Sequence, residues 1–419
     1  MRAMRSFCLA LVVGGIIFPA ASAPLAAGES RQLDSGPYRA SYRASYRASY
    51  RASYRASITV ASEGDLRTYN LSTDAPLRDN LPADKQRTLT EVPDHPTVRT
   101  GNPLFDGLYA MAVSEALQNS VPQISDGAYA NNAPIRIGAF QTGEIWRYVW
   151  TRDLAYSLHL ALAGFDPKRA ASSLLFKASE RKPSVRGGVE SQIIQDTGSG
   201  GSYPVSSDRA VWALGAHETL KYLAGAERDQ FLAKIYPILC GTIEQDRALV
   251  FDPGTGLYRG EQSFLDWREQ TYPGWTKENV LALATSKALS VNAAMVFLLE
   301  TTAQYAHLEG EPERQSRYTK WAADLKSAIN RQFVDPANGL YRAYLLSHDG
   351  TSDIPVARYD LLGLSLSILG GVADPARAEA IVKSYPTGPH GPPVVWPQER
   401  TVPIYHNQAI WPFVTAYWT

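Results

Sequence analysis

From Asn102 onward, apolar residues recur at spacings of three and four, the period of a helix with one buried face. The segments are Phe105–Leu117, Asp153–Ala163, Pro167–Ala178, Asp208–Ala224, Arg228–Ile243, Lys287–His307, Glu311–Phe333, Tyr359–Leu369 and Pro375–Tyr385. A last one begins near Asn407 and is still running at Thr419. Several are separated only by short breaks, at Gly225-Ala226 and at Gly310. Short connections make successive helices antiparallel neighbours. No alternation of strands and helices suggests a parallel sheet. The pattern predicts an all-α chain of helical hairpins.

An internal repeat sharpens this expectation. Asp252-Pro253-Gly254-Thr255-Gly256-Leu257-Tyr258-Arg259 returns as Asp335-Pro336-Ala337-Asn338-Gly339-Leu340-Tyr341-Arg342. Each copy follows a long helical segment and supplies a turn whose Gly tolerates positive φ, then an extended Leu-Tyr-Arg. A unit of helix, turn and helix that recurs suggests hairpins set around a ring, with loops at one end forming a cleft. A shared helix-end turn without common ancestry is the alternative.

The N-terminal part reads differently. Residues 1–27 have the form of a secretory signal peptide: Arg2 and Arg5, an apolar run from Phe7 to Ile17, then Ala21-Ser22-Ala23 or Leu25-Ala26-Ala27 before cleavage. That run is too short to span a bilayer. Only Cys240 would survive processing, so no intramolecular disulfide is expected. The expected location is secreted or periplasmic, with no membrane contact after signal cleavage. In 28–57 the tetrapeptide Tyr-Arg-Ala-Ser repeats. It is basic, with few aliphatic residues, and predicts a disordered linker. Residues 58–100 are turn-rich and read as an extended lead-in to a catalytic domain over 101–419.

With 41 basic and 41 acidic residues the formal charge is zero, which argues against a nucleic-acid partner. The 23 Tyr and 9 Trp suit a wide cleft in which rings stack while their polar tips stay wet. Gly198–Gly201 lacks the Lys-Ser/Thr of a P-loop, and neither a His-Glu-x-x-His nor a Gly-x-Ser-x-Gly occurs. No metal site is predicted. A bound calcium stays open, because loop carboxylates and carbonyls suffice for one.

Four stretches concentrate chemistry. In Trp146–Asp153 an aromatic run enters a helix, and Arg152 and Asp153 could donate to and accept from adjacent sugar hydroxyls beside Trp150. Asp153 as a plain N-cap is the alternative. In Gly260–Trp275 the carboxyls of Glu261, Asp266 and Glu269 lie among Trp267, Arg268 and Trp275. A carboxyl beside indoles is desolvated and holds its proton, as a glycosidase general acid must. Pairing with Arg259 and Arg268 on a surface loop is the alternative. Trp396–Arg400 and Tyr405–Pro412 complete the set, with Tyr405, His406, Asn407 and Trp411 able to read hydroxyls and stack on sugar faces.

At these stretches the chain resembles the six-hairpin glycosidases, glycoside hydrolase family 63 and the glucosidase domain of glycogen-debranching enzymes in particular. Trp150-Thr151-Arg152-Asp153 looks like their Trp-x-Arg-Asp element, which binds the terminal sugar. Tyr405-His406-Asn407 with Trp411-Pro412 looks like their Tyr-His-Asn-Gly-x-x-Trp-Pro element, with Gln408 in place of the Gly. The family's Glu-Ser-Gly-x-Asp-Asn acid motif is matched only by Glu261 and Asp266. The resemblance implies an (α/α)6 toroid and inverting hydrolysis of α-linked oligosaccharides, with Asp266 as acid and Glu261 and Glu269 as the other candidates. The base would come late in the chain, where Glu399 is the nearest carboxylate. Because the sequence stops inside a helix, the expectation is a toroid incomplete at its C-terminus, with the base beyond Thr419. Two other readings remain: a carbohydrate-binding protein of this fold that lacks the base, and a polysaccharide lyase or sugar epimerase on a helical toroid.

Overall fold

The structure, a computed structural model, describes residues 35–44, 48–63, 65–74, 85–126, 130–179, 191–194, 206–264, 272–273, 276, 279–347, 350, 352–388, 391–398 and 409–419. The chain divides into two compact units between Asn119 and Ser120.

The first unit is an antiparallel sheet of β1 (Ser35–Ala44), β2 (Ala48–Glu63), β3 (Leu66–Thr73) and β4 (Gln86–Thr90), in that order, with helix α1 (Pro103–Gln118) packed on it. Strict alternation puts Ile58, Val60 and Tyr69 on the buried face, where they meet Ala110 of α1. Beneath them, Glu91 accepts from Tyr69 Oη at 2.9 Å and from both terminal nitrogens of Arg99 at 2.5 and 2.7 Å. Asn102 caps α1 by accepting from Leu104 N and Phe105 N, with Pro103 opening the helix.

The Tyr-Arg-Ala-Ser repeats fall within β1 and β2. The register pairs Tyr38 with Tyr54, Tyr42 with Tyr50 and Arg39 with Ser53. The same unit includes β3, β4 and α1.

The second unit is mainly helical. Helix α2 (Thr151–Ser157) continues through a π turn at Leu158–Leu162 and a last turn at Ala163–Phe165. It is followed by α3 (Pro167–Phe176), α4 (Asp208–Tyr222), α5 (Gly225–Leu249), α6 (Val280–Thr285), α7 (Leu289–Leu308), α8 (Pro312–Gln332), α9 (Leu361–Leu369), α10 (Pro375–Ser384) and α11 (Pro412–Trp418). Helix α2 packs on α4, α4 on α7, α7 on α9, and α9 on α11. These are the inner helices: α4 is buried continuously from Asp208 to Ala216, and α7 from Leu289 to Val296. A helix buried all round needs no polar stripe. The returning helix α8 buries only Tyr318, Ala322, Leu325, Ala328 and Ile329, one face at helical spacing. Gly215 lets α2 and α4 approach, since a Cβ there would lie 3.1 Å from Ala155 Cα. The buried pair Arg209–Asp246, at 2.7 Å, ties α4 to α5.

The two copies of the repeat adopt the same turn. Gly256 N donates to Asp252 O, and Gly339 N to Asp335 O, both at 2.8 Å, and both glycines have φ of +75°. Arg259 N and Arg342 N each reach back 2.8 Å, to Val250 O and Phe333 O. In each copy the Leu and Tyr are buried.

The unit is not purely all-α. Short antiparallel ladders join Phe251–Asp252 to Leu257–Tyr258, Lys287–Ala288 to Tyr344–Leu346, and Tyr359–Asp360 to Val395–Trp396. They give the backbone of the connecting loops hydrogen-bond partners where those loops are buried. They also shift two boundaries: Lys287 and Tyr359 are ladder residues, and α7 and α9 begin just after them. Helix α6 was not expected, and the start of the last helix at Asn407 lies outside the described residues. No helix among the described residues is long and apolar enough to cross a membrane.

Candidate active site

The starts of the inner helices converge on the segment Gly260–Phe264. Ser263 lies at the centre. Its hydroxyl is 2.7 Å from Tyr156 Oη on α2 and accepts from Ser207 Oγ, at the start of α4, at 2.8 Å. Its backbone N–H donates to Ser290 Oγ, in the first turn of α7, at 2.8 Å. Beside it, Gln262 N donates to Tyr272 Oη at 2.7 Å, and Tyr272 stacks on Tyr344. Glu261, Gln262 and Ser263 are completely buried.

Phe264 departs from ordinary backbone, with φ of +65°. A bulky residue there is an outlier of the kind found at functional sites. Aromatic packing holds it. Its ring lies 4.3 Å from Phe413, 5.4 Å from Trp411 and 5.8 Å from Tyr156, and the Arg152 guanidinium lies over it at 5.1 Å. Phe264 is therefore where the first, second and fourth stretches of the sequence meet. The third is represented by Trp396, paired with Tyr359 in the ladder before α9.

Burial sets the electrostatics. It pushes the Tyr156 phenol far above its ordinary value, with Asp360 and Asp208 adding to the effect and the Ser263 hydrogen bond and Arg152 opposing it. Tyr272 is raised well above its usual value, again by burial first, with the Glu261 charge adding to it. Asp360 caps α9 by accepting from Gly363 N, and burial pushes its carboxyl up to about 7. Deeper among the inner helices, His159 is hydrogen-bonded through Nδ1 to Tyr417 Oη at 2.8 Å, and burial lowers its pKa to about 4.

Of the residues expected from sequence, Arg152 and Glu261 are buried, and Trp150, Asp153 and Trp411 are half-buried. Asp266, Glu269, Trp267, Arg268, Tyr405, His406 and Asn407 lie outside the described residues, as does Glu399. The sequence reading missed Tyr156, Ser207, Ser263, Ser290 and Asp360. Asp360 carried a signal, an acid directly before an apolar helical run, but that pattern reads as a cap. The hydroxyls carried none. Among the described residues no three His, Cys, Asp or Glu side chains are grouped to hold a metal ion. A cavity of about 580 Å³ is lined by Lys234, Cys240 and Arg314, and among the described residues its lining has no carboxylate and none of the candidate residues.

No protein family matches the chain, and no curated protein does. Among solved structures it is similar to a GH78 family rhamnosidase of Bacillus sp. GL1, at 15% identity and a TM-score of 0.47 over 85% of this chain and 35% of that one. It is also similar to a sugar epimerase from a ruminal bacterium, at 10% identity and a TM-score of 0.44 over 76% and 80% of the two chains. A third is a family 76 glycoside hydrolase from a bovine Bacteroides thetaiotaomicron strain, at 11% identity and a TM-score of 0.38 over 79% and 63%. This chain thus spans about a third of the rhamnosidase's length. All three scores lie below 0.5, and the reading that follows rests on the residues of this chain.

Proposed function

We propose that the chain is an exported glycoside hydrolase that cleaves α-linked oligosaccharides with inversion, on an (α/α)6 toroid of the six-hairpin type. The meeting of Arg152, Phe264 and Trp411 supports this most directly, because it joins three aromatic and carboxylate-rich stretches far apart in the sequence. Asp266 follows Phe264 by two residues, a span of at most about 7 Å in any conformation. This short link to Phe264, whose ring meets Arg152, supports Asp266 as the acid. Asp266 protonates the glycosidic oxygen, and Glu261 and Glu269 are the other carboxyls of its loop. A second carboxylate across the sugar activates water, as inversion requires. Trp150, Arg152, Asp153, Trp267, Arg268, Tyr405, His406, Asn407 and Trp411 hold the sugar. The two-carboxylate reaction uses no cofactor.

The test is turnover of 4-nitrophenyl α-glucoside and α-mannoside beside the matching trisaccharides, with wild type and Asp266→Asn. General acid catalysis contributes roughly 100- to 10,000-fold, and nitrophenolate needs little protonation to leave. Asp266→Asn should lower trisaccharide hydrolysis by about 100-fold or more and aryl glycoside hydrolysis far less. Equal turnover by both proteins on the trisaccharide rejects Asp266 as the acid. Sugar binding without hydrolysis by wild type would leave the carbohydrate-binding reading.

A further inference from the structure

Just before Arg152, the chain holds large apolar side chains out in solvent on an ordered loop. Ile145 is 53% exposed, Trp146 52% and Tyr148 39%. The loop is braced on all sides. Thr142 N donates to Tyr148 O at 2.7 Å, Gly143 N to Trp146 O at 3.1 Å, Trp150 N to Thr142 Oγ1 at 3.1 Å, and Arg147 Nε to Glu144 O at 3.2 Å. Val149 anchors it in the core. Trp146 leans on Trp150, with ring centroids 5.0 Å apart and planes inclined by 33°. Trp150 in turn is the N-cap residue of α2, whose first turn carries Arg152 and Asp153.

We propose that the Trp146–Trp150 pair is a stacking subsite for a further sugar ring, so that the substrate is an oligosaccharide extending from the Arg152 end of the site along this loop. The inference rests on the glycosidase reading for the identity of the sugar, but not for the binding surface. A pyranose has an apolar C–H face and a polar edge. The indole pair offers the apolar partner, and exposed Glu144 and Arg147 flank it with an acceptor and a donor. A ring held in place before binding loses little freedom on contact, so the stacking energy appears as affinity. Continuity with Arg152 and Asp153 argues for a ligand that runs from one to the other. It argues against a separate protein partner.

The test uses the full chain, wild type and Trp146→Ala, with equal thermal midpoints as the folding control. Maltotetraose, an α-linked mannotetraose and the corresponding aryl monosaccharide glycosides are the probes. Turnover and titration of intrinsic tryptophan fluorescence are the readouts. Trp146→Ala should weaken tetrasaccharide binding and raise its KM about tenfold, with the aryl glycoside KM unchanged and Trp146→Phe intermediate. An equal loss on both substrates, or no loss on the tetrasaccharide, overturns the subsite while leaving the hydrolase reading in place. Trp146-dependent tetrasaccharide binding without hydrolysis keeps the subsite and rejects the hydrolase. A wild type that self-associates through this loop and binds no sugar rejects the subsite in favour of a protein contact.

Discussion

The phenol oxygen of Tyr156 lies 2.7 Å from the hydroxyl of Ser263, a residue 107 positions later. The contact joins the first inner helix to the residue that precedes Phe264. Because burial holds the Tyr156 phenol protonated at any ordinary pH, the bond does not depend on pH. Tyr156→Phe removes it without leaving a cavity. The expected loss is about 1 kcal/mol of stability, read as a lower urea midpoint, with a fall in kcat as the root of the loop loosens. A variant as stable and as active as wild type would show that this contact holds nothing in place.

At position 264 the usual ranking of alanine over glycine should reverse. Both substitutions discard the ring contacts with Phe413 and Trp411, so both destabilise. Alanine also keeps a side chain at φ of +65°, which costs roughly 1–2 kcal/mol relative to glycine. Phe264→Gly should therefore unfold at higher denaturant than Phe264→Ala. The opposite order would mean that the backbone there is not left-handed.

Asp360 makes stability depend on pH in the direction opposite to an ordinary paired carboxylate. Below about pH 4 both folded and unfolded chains hold the proton. Between about 4 and 7 the unfolded chain releases it while the folded chain keeps it, so the free energy of unfolding falls as pH rises, then levels above 7. The total is on the order of a few kcal/mol. Asp360→Asn keeps an oxygen to cap Gly363 N and removes the ionisation. It should match wild type near pH 4 and exceed it at pH 8 in chemical denaturation. Parallel curves across that range would contradict the buried, proton-holding carboxyl.

The Gln262 carboxamide is completely buried beside Tyr272, one residue from Ser263 and two from Phe264. Gln262→Met keeps the bulk and removes the amide, and it should weaken oligosaccharide binding about tenfold with the fold retained. A folded variant with unchanged sugar affinity would remove Gln262 from the site.

The long helices were legible because burial imposes a period, and a stripe such as Tyr318, Ala322, Leu325 and Ile329 writes that period into the sequence. The repeated turn was legible because Gly256 and Gly339 mark the same left-handed position. The short ladders were not, because a two-residue pairing such as Lys287–Ala288 with Tyr344–Leu345 has no periodicity to read. At the site, the dense stretches announced Arg152, Glu261 and Trp411 as candidates. Tyr156, Ser207, Ser263 and Ser290 are common residues in helical surroundings, and only three-dimensional proximity makes them a set. Asp360 caps α9, and its raised pKa comes from burial, which a local sequence does not encode.

The stereochemistry of the released sugar tests the mechanism most directly. Wild-type protein is mixed with an α-linked trisaccharide in deuterated buffer, and the anomeric proton of the new reducing end is followed by NMR before mutarotation. A single displacement by water across two separated carboxyls predicts the β-anomer as the first product. An α-anomer released first, or an unsaturated or epimerised sugar in its place, would contradict the account.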